Sequence, residues 1–291
     1  MERAAGQGAD RGTDGYHVRV MSLADLDMAM GWARAEGWNP GIHDAGAFHA
    51  VDPQGFLVGV LDDRPVASLS VVRYPGNFGF LGLYIVRPEM RGRGFGWRLW
   101  QAGLRHLAGC TVGLDGVVAQ QENYRKSGFV LAHRNIRFGG PAPAGVVESA
   151  LVDARNVPFD RLMALDAALF PAPRPGFLAN WLALPGTTAL AAVGDGAVRG
   201  FGVIRPSQSG FKIGPLYAPD RAVARDLVLA LGQAAGEGPL VLDVPETNGA
   251  AVRLAEELGL VPQFETARMY LGQAPAVDTA RLFGITSFEL G

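Results

Sequence analysis

Leu83-Tyr84-Ile85-Val86-Arg87-Pro88-Glu89-Met90-Arg91-Gly92-Arg93-Gly94-Phe95-Gly96 is the stretch whose reading fixes the fold. The β-rich run Phe78–Val86 stops at Pro88, and beyond the glycines a helical pattern begins in which Trp97, Trp100, Leu104 and Leu107 share one face. A strand, a turn reading Arg91-x-x-Gly94-x-Gly96 and an amphipathic helix make an anion-binding design, because the first N–H groups of a helix have no partner within it. Glycines let the backbone close on a diphosphate without Cβ atoms in the way, and the helix dipole with Arg91 and Arg93 favours negative charge. A glycine-rich connection before a helix can also be only a tight turn, so the surroundings decide. The loop lacks the Lys-Ser/Thr of a P-loop, and it lacks the early position and following acidic residue of a dinucleotide fold. Coenzyme A remains as the diphosphate carrier.

Upstream, from Tyr16, the signals run strand, helix and a polar stretch, then two apolar runs at 56–60 and 66–74 joined by the turn Asp62-Asp63-Arg64-Pro65, a β-hairpin. Downstream, 111–119 reads as a buried strand, 120–127 as a short helix and 129–138 as a further strand or hairpin. Gly139-Gly140-Pro141-Ala142-Pro143-Ala144-Gly145 is too rich in Gly and Pro for the interior of an element and falls near the middle of the 291 residues. The same grammar then recurs: a helix at 158–170, a hairpin at 189–204 turning at Gly194-Asp195-Gly196, a strand at 211–217, a helix at Arg221–Ala235, a strand at 240–244 and a helix at 248–258. Asp115 matches Asp243, Gly128-Phe129 matches Gly259-Leu260 and Arg137 matches Arg268, which reads as an internal duplication. The expected organisation is a floppy tail 1–14, a first domain 15–139, a linker 140–147 and a second domain 148–291.

The first half resembles the GNAT superfamily of N-acetyltransferases. Its signature is a strand, Arg/Gln-x-x-Gly-x-Gly/Ala and a helix, followed later by a tyrosine before Lys-x-Gly-Phe. Both parts are present here, the second as Tyr124-Arg125-Lys126-Ser127-Gly128-Phe129. The resemblance covers roughly residues 16–138 and implies an α/β (α+β) fold, a central and mostly antiparallel sheet flanked by helices, with the fourth strand splayed from the fifth. It implies acetyl-CoA as the ligand, its pantetheine arm lying in the splay against the backbone of Tyr84, Ile85 and Val86, and its diphosphate on Arg91, Gly92, Arg93, Gly94, Phe95, Gly96 and Trp97. Tyr124 then stands where the family places its general acid, and a phenol of pKa near 10 matches a departing thiolate of roughly similar basicity. An oxyanion donor is implied at a backbone N–H near Tyr84. The strand Phe78–Val86 carries no carboxylate or histidine, so no general base is visible there.

Acceptor-site candidates lie in the polar and aromatic segment 36–44, with Glu36, Trp38, Asn39 and Asp44 able to hold a cationic amine, and on the next strand at Asp115. Residues of this kind also serve as turn and capping groups. His43 and His49 belong to no recognisable ligand cluster, so no metal is expected. The turn in the second half, 214–222, lacks the glycine pair and carries Asp220, which would repel a diphosphate; Ala255 stands where the tyrosine belongs. This arrangement is similar to the tandem GNAT proteins of the YitH-like group, with a catalytic first domain and a degenerate second, so one cofactor per chain is expected. Asp243, Glu246, Asn248, Arg268 and Tyr270 are expected chiefly to brace the second sheet, and the apolar segment 282–290 to be ordered.

A formal net charge of −2 without long runs of one sign leaves no footprint for nucleic acid or an anionic membrane surface. A hydrophobic content of 48% and one cysteine, Cys110, fit a soluble protein in a reducing, cytoplasmic setting, as a monomer or homodimer. The expected activity is transfer of acetyl from acetyl-CoA to a primary amine of a small molecule. The alternative is a non-catalytic acyl-CoA-binding sensor module.

Overall fold

In the computed structural model, which describes residues 15–194, 196–236 and 238–291, β1 (Tyr16–Val20) lies antiparallel beside β2 (Phe56–Leu61). The expected tail 1–14 and Asp195 of the second hairpin turn fall outside the described residues. Between β1 and β2 the chain forms α1 (Leu23–Ala35) and the short α2 (Asp44–His49). Ser22 starts α1 with a capping box: its hydroxyl accepts from Asp25 N–H, and the Asp25 carboxylate accepts from Ser22 N–H. β2 turns into β3 (Arg64–Tyr74) through Asp62-Asp63, both at positive φ (47° and 61°), the two-residue connection that matches strand twist. Next come β4 (Phe78–Val86), α3 (Phe95–His106), β5 (Thr111–Val117), α4 (Gln121–Lys126) and β6 (Val130–Pro141).

The second half runs β7 (Leu151–Asp153), α5 (Phe159–Leu169), α6 (Pro175–Leu182), β8 (Thr188–Gly194), β9 (Ala197–Ser207) and β10 (Gly210–Tyr217). It continues with α7 (Arg221–Ala235), β11 (Pro239–Pro245), α8 (Gly249–Glu257), β12 (Val261–Leu271) and β13 (Leu282–Gly284). All strands join one 13-stranded sheet in the order β1-β2-β3-β4-β5-β12-β6-β11-β10-β9-β8-β7, with β13 on β10. Pairing is antiparallel except at β4–β5 and β10–β11.

The sheet order shows that the two halves exchange a strand. β12 of the second half pairs with β5 of the first, β6 of the first pairs with β11 of the second, and the two exchanged strands pair with each other. Residues 140 and 141 of the expected linker belong to β6. The duplication explains the geometry. With Arg137 equivalent to Arg268, Asn135 is equivalent to Thr266, and these two face each other across β6 and β12. A pseudo-twofold axis therefore passes between them, and it turns each matched Asp and Arg into a partner in the opposite half. Arg268 makes two hydrogen bonds to Asp115 (2.6 and 2.7 Å), and Arg137 makes two to Asp243 (2.7 and 2.8 Å). Glu246 is likewise taken up by Arg134 of β6, and Asn248 caps α8 and donates to the carbonyls of Ala280 and Leu282. The Asp115–Arg268, Arg137–Asp243 and Arg134–Glu246 pairs brace one half against the other, whereas Asn248 braces the second half internally.

The core also crosses the seam: the Phe48 and Trp181 rings stack at 5.8 Å, and Phe170 meets Tyr74 edge-on at 5.0 Å. Asp44 and Arg205, both fully buried, close a further ion pair between the halves. His133, opposite Arg268 on β12, is pushed down to about 4 by burial and then by the Arg268 charge. Because an unfolded histidine titrates near 6.5, the unfolded chain alone binds this proton between those values. Stability is expected to fall as pH drops from 6.5 toward 4, by about 1 kcal/mol per unit at most from this group. A denaturation series with His133→Gln checks this, since the variant should show a shallower fall.

Candidate active site

β4 and β5 pair in parallel only from Phe78 to Leu81 against Thr111 to Leu114. Beyond that point they diverge, and the opening is a cavity of about 410 Å³. The splay begins where β4 departs from its other neighbour: the β3–β4 register skips between Ser68 and Ser70, and Leu83 takes φ 47°, a bulge that Ser68 holds by donating to the Leu83 carbonyl (2.8 Å). Leu83 and Tyr84 are thereby turned out of the ladder with β3.

At the far end of the cavity Gly92 and Gly94 take φ of 76° and 81°, with nothing within 4 Å of where a Cβ would stand, so the turn is an open backbone cradle. α3 starts at Gly94 with no side-chain cap, and its first internal bond is Arg98 N–H to the Gly94 carbonyl. The N–H groups of Gly94, Phe95, Gly96 and Trp97 are left without acceptors within the helix. Gly96 sits against β4, and a Cβ there would come within 2.7 Å of the Tyr84 hydroxyl and 2.8 Å of a Val86 methyl. Gly96→Val is therefore expected to push the helix start off the strand. At about 1–3 kcal/mol for such overpacking, binding of the expected acetyl-CoA should weaken roughly 5- to 150-fold, measurable by titration calorimetry.

The helix buries Trp100 and Leu107 of the face its spacing predicts, with Leu104 packed against the same core, and departs from that face at Trp97. Leu99, Trp100 and Gly103 are buried, whereas Trp97 is 54% exposed and forms a lip of the cavity. Gly103 causes this by packing directly on β3, where a Cβ would lie 2.6 Å from Leu69 and 2.7 Å from Val71. Trp100 then stands between two phenols, its ring 5.2 Å from Tyr84 and 5.6 Å from Tyr124. Tyr124, on α4, also fills the space Gly116 leaves open on β5, where a Cβ would meet its ring at 2.2 Å. Among the described residues none hydrogen-bonds its hydroxyl. Burial pushes the Tyr124 phenol well up, with the nearby Tyr84 adding to it, and burial pushes Tyr84 up to about 12.

Most of the residues picked from the sequence meet at this cavity: Tyr84, Ile85, Val86, Arg91, Gly92, Gly94, Phe95, Gly96, Trp97 and Tyr124, with Glu36, Trp38 and Asp115. Several have prior partners. Arg91 donates to the Val86 carbonyl (2.9 Å) and pairs with Glu36, so the two brace the turn. Asp115 lines the cavity, but Arg268 and Asn135 take up its carboxylate (2.6–2.7 Å). Three others lie outside the lining. Arg93 packs over the Phe95 ring, Asn39 accepts from Ser209 N–H (3.0 Å), and Asp44 is held by Arg205 and Gly41 N–H. The segment 36–44 is thus half cavity wall and half brace between the halves.

The second half supplies residues to the same cavity that its degenerate motifs gave no reason to expect: Phe264 and Thr266 on β12, and Phe288 and Glu289 in the closing segment. Its own equivalent cleft is filled by the chain. Residues 282–284 pair with β10 at Leu216 and Tyr217, Ile285 N–H donates to the Asp243 carbonyl of β11 (2.9 Å), and the Asp220 carboxylate accepts from Val223 N–H at the start of α7 (3.0 Å). A strand thus lies where a pantetheine would lie, and an aspartate where a diphosphate would. Among the described residues no group of three or more His, Cys, Asp or Glu is placed to hold a metal ion, and no helix is long and apolar enough to cross a membrane.

A splayed strand pair that leads to an uncapped, glycine-turned helix and a free phenol defines an acyltransferase of the GNAT kind, and the chain belongs to that family. Family models match both halves, the acetyltransferase (GNAT) family at residues 19–129 and an acetyltransferase (GNAT) domain at 162–284. Among curated proteins it is similar to the holothin acyltransferase of Pseudoalteromonas sp. (strain SANK 73390), 34% identical over 93% of this chain and 92% of that one. It also resembles the uncharacterised N-acetyltransferase YitH of Bacillus subtilis (strain 168), 24% identical over 74% of this chain and 78% of that one. A candidate acetyltransferase from Pyrococcus horikoshii shares the fold across the full length of both chains, with a TM-score of 0.84 at 23% identity.

Proposed function

We propose that the protein transfers the acetyl group of acetyl-CoA to a primary amine of a small molecule by direct attack. The observation that carries this reading is the continuity of one cavity from the β4–β5 splay to the bare start of α3, with Tyr124 in its wall. The backbone edge of Tyr84, Ile85 and Val86 suits an extended amide-bearing arm, and the free N–H groups of Gly94, Phe95, Gly96 and Trp97 suit a diphosphate. The paired state of Arg91 assigns most of the anion binding to the backbone, with Arg91 holding the turn.

In the reaction the amine attacks the thioester carbonyl, negative charge gathers on the carbonyl oxygen, and the sulfur leaves. The bulge at Leu83 turns backbone groups toward the opening, and the Tyr84 N–H is the donor assigned to the oxyanion. Tyr124 is the acid for the thiolate. A small-molecule acceptor is supported by the second-half residues in the wall, which narrow access, and by the name of the 34% identical relative. A panel of amines with acetyl-CoA, followed by thiol release, tests the reading. Turnover of at least one small amine is expected. Tight binding of acetyl-CoA with no turnover of any amine would favour a sensor.

A further inference from the structure

Among the described residues the first half brings no free carboxylate to the cavity: β4 has none, Asp115 is saturated by Arg268 and Asn135, and Glu36 is paired with Arg91. One carboxylate in the cavity wall is unclaimed. Glu289 is 2% exposed, and neither oxygen has a hydrogen-bond partner; on the same wall the Thr266 hydroxyl is also buried without one. Leaving such groups unpaired costs about 1–3 kcal/mol each, a cost that a partner entering from the cavity would remove.

The fold places Glu289 deliberately. After β13 fills the second cleft, residues 285–291 cross the pseudo-twofold toward the first. Gly214 and Gly82 occupy equivalent positions one residue beyond the last parallel pair of β10 and β4, and each makes room for this segment. A Cβ on Gly214 would come within 2.6 Å of the Ile285 and Thr286 carbonyls, and one on Gly82 within 2.3 Å of the Glu289 carbonyl. Ser70 and Tyr74 of β3 donate to the carbonyls of Glu289 and Leu290 (3.4 and 3.0 Å), fixing the segment beside the β4 bulge. Around it Trp38, Phe264 and Phe288 form an aromatic wall. Arg137 lies 5.8 Å from the Phe264 ring centre and 4.8 Å from that of Phe288, and it donates to the Trp38 carbonyl (2.8 Å). The charges that act on Glu289 are Arg137 of β6 and Lys212 of β10; both lie against Asp243 of β11.

We infer that Glu289, delivered by the second half, is the proton acceptor for the attacking amine, and that the acceptor is a primary alkylamine that carries a flat aromatic or heteroaromatic group. This rests on the acetyltransfer reading above. An ammonium entering the aromatic wall gives one proton to Glu289, which passes it to solvent. The neutral nitrogen forms the C–N bond, the C–S bond breaks, and sulfur takes the Tyr124 proton. The second nitrogen proton restores Tyr124, directly or through water. One proton is released per turnover.

The test measures acetyl-CoA with 2-phenylethylamine and tryptamine, and with spermidine as an aliphatic comparison, for wild type, Glu289→Gln and Glu289→Asp, by thiol release across pH and by acetyl-CoA titration. The expected result is arylalkylamine turnover by wild type. In Glu289→Gln it should fall at least about 100-fold, with loss of the acidic limb of kcat/KM and unchanged acetyl-CoA affinity, and Glu289→Asp should regain part of the rate and the limb. Wild-type-like rates in Glu289→Gln, or a lower rate with the acidic limb intact, would overturn the base role, and spermidine turnover alone would overturn the acceptor class. If Glu289→Gln does not fold, Glu289→Asp decides: a rate and limb equal to wild type overturn the role, and a reduced rate with a displaced limb supports it. If wild type binds acetyl-CoA but acetylates no amine, the failure lies with the acetyltransfer reading itself.

Discussion

Tyr124→Phe is expected to lower kcat by about 10²- to 10⁴-fold, the range of a lost general acid, while leaving acetyl-CoA affinity within about twofold. The structure makes this substitution clean. The ring is held by Trp100 and by the space over Gly116, which phenylalanine fills equally, and no described residue hydrogen-bonds the hydroxyl that is removed. Burial raises the phenol's pKa, so the proton stays in place throughout the neutral range and is available as the thiolate forms. Wild-type activity is accordingly expected to show no loss from this group below about pH 10. Single-turnover thiol release with the variant checks the first point and a pH–rate series the second; a variant within threefold of wild type would reduce Tyr124 to a packing residue.

Arg137→Met is expected to destabilise the protein by about 3–5 kcal/mol, because it strands the buried Asp243 carboxylate inside the seam. Lys212, 3.7 Å from Asp243, remains as a second cation and sets the effect toward the lower end. The same substitution takes the guanidinium from the faces of Phe264 and Phe288 and from the Trp38 carbonyl, so acceptor KM should rise as well. Denaturant titration measures the loss, and the double variant Arg137→Met/Asp243→Leu should recover most of it by removing the stranded charge along with its partner. A loss below about 1 kcal/mol would mean that the Arg137–Asp243 pair adds little to the seam.

The part of this design that was legible in the sequence is the part set by local chemistry. The stop at Pro88 and the glycines at 92, 94 and 96 each act within a few residues of their own backbone, and so the loop and the helix after it could be read directly, whereas the splay and the place of Tyr124 came through the family resemblance. The duplicated Asp and Arg positions were visible too, but their spacing cannot say whether Asp115 meets Arg137 or Arg268; that depends on which strand enters beside β5. The exchange is a nonlocal pairing, and strand propensity is blind to partners. Asn39 and Asp44 look like acceptor ligands because turn-forming polar residues and ligands share a composition; only the arrival of Ser209 and Arg205 from the other half settles their use. Glu289 did leave a trace, as the single charge in the apolar segment 282–290, where burial makes a carboxylate costly unless it has work to do.

One cleft per chain is expected to take the acyl donor, the other being closed by Asp220 and residues 282–285 of the chain itself. Titration calorimetry of the full chain with acetyl-CoA counts the open clefts. One equivalent should bind per chain, with affinity kept in Tyr124→Phe and weakened in Gly96→Val. Two equivalents per chain, or binding that Gly96→Val leaves unchanged, would show that the second cleft is open or that the α3 turn is not the anion site.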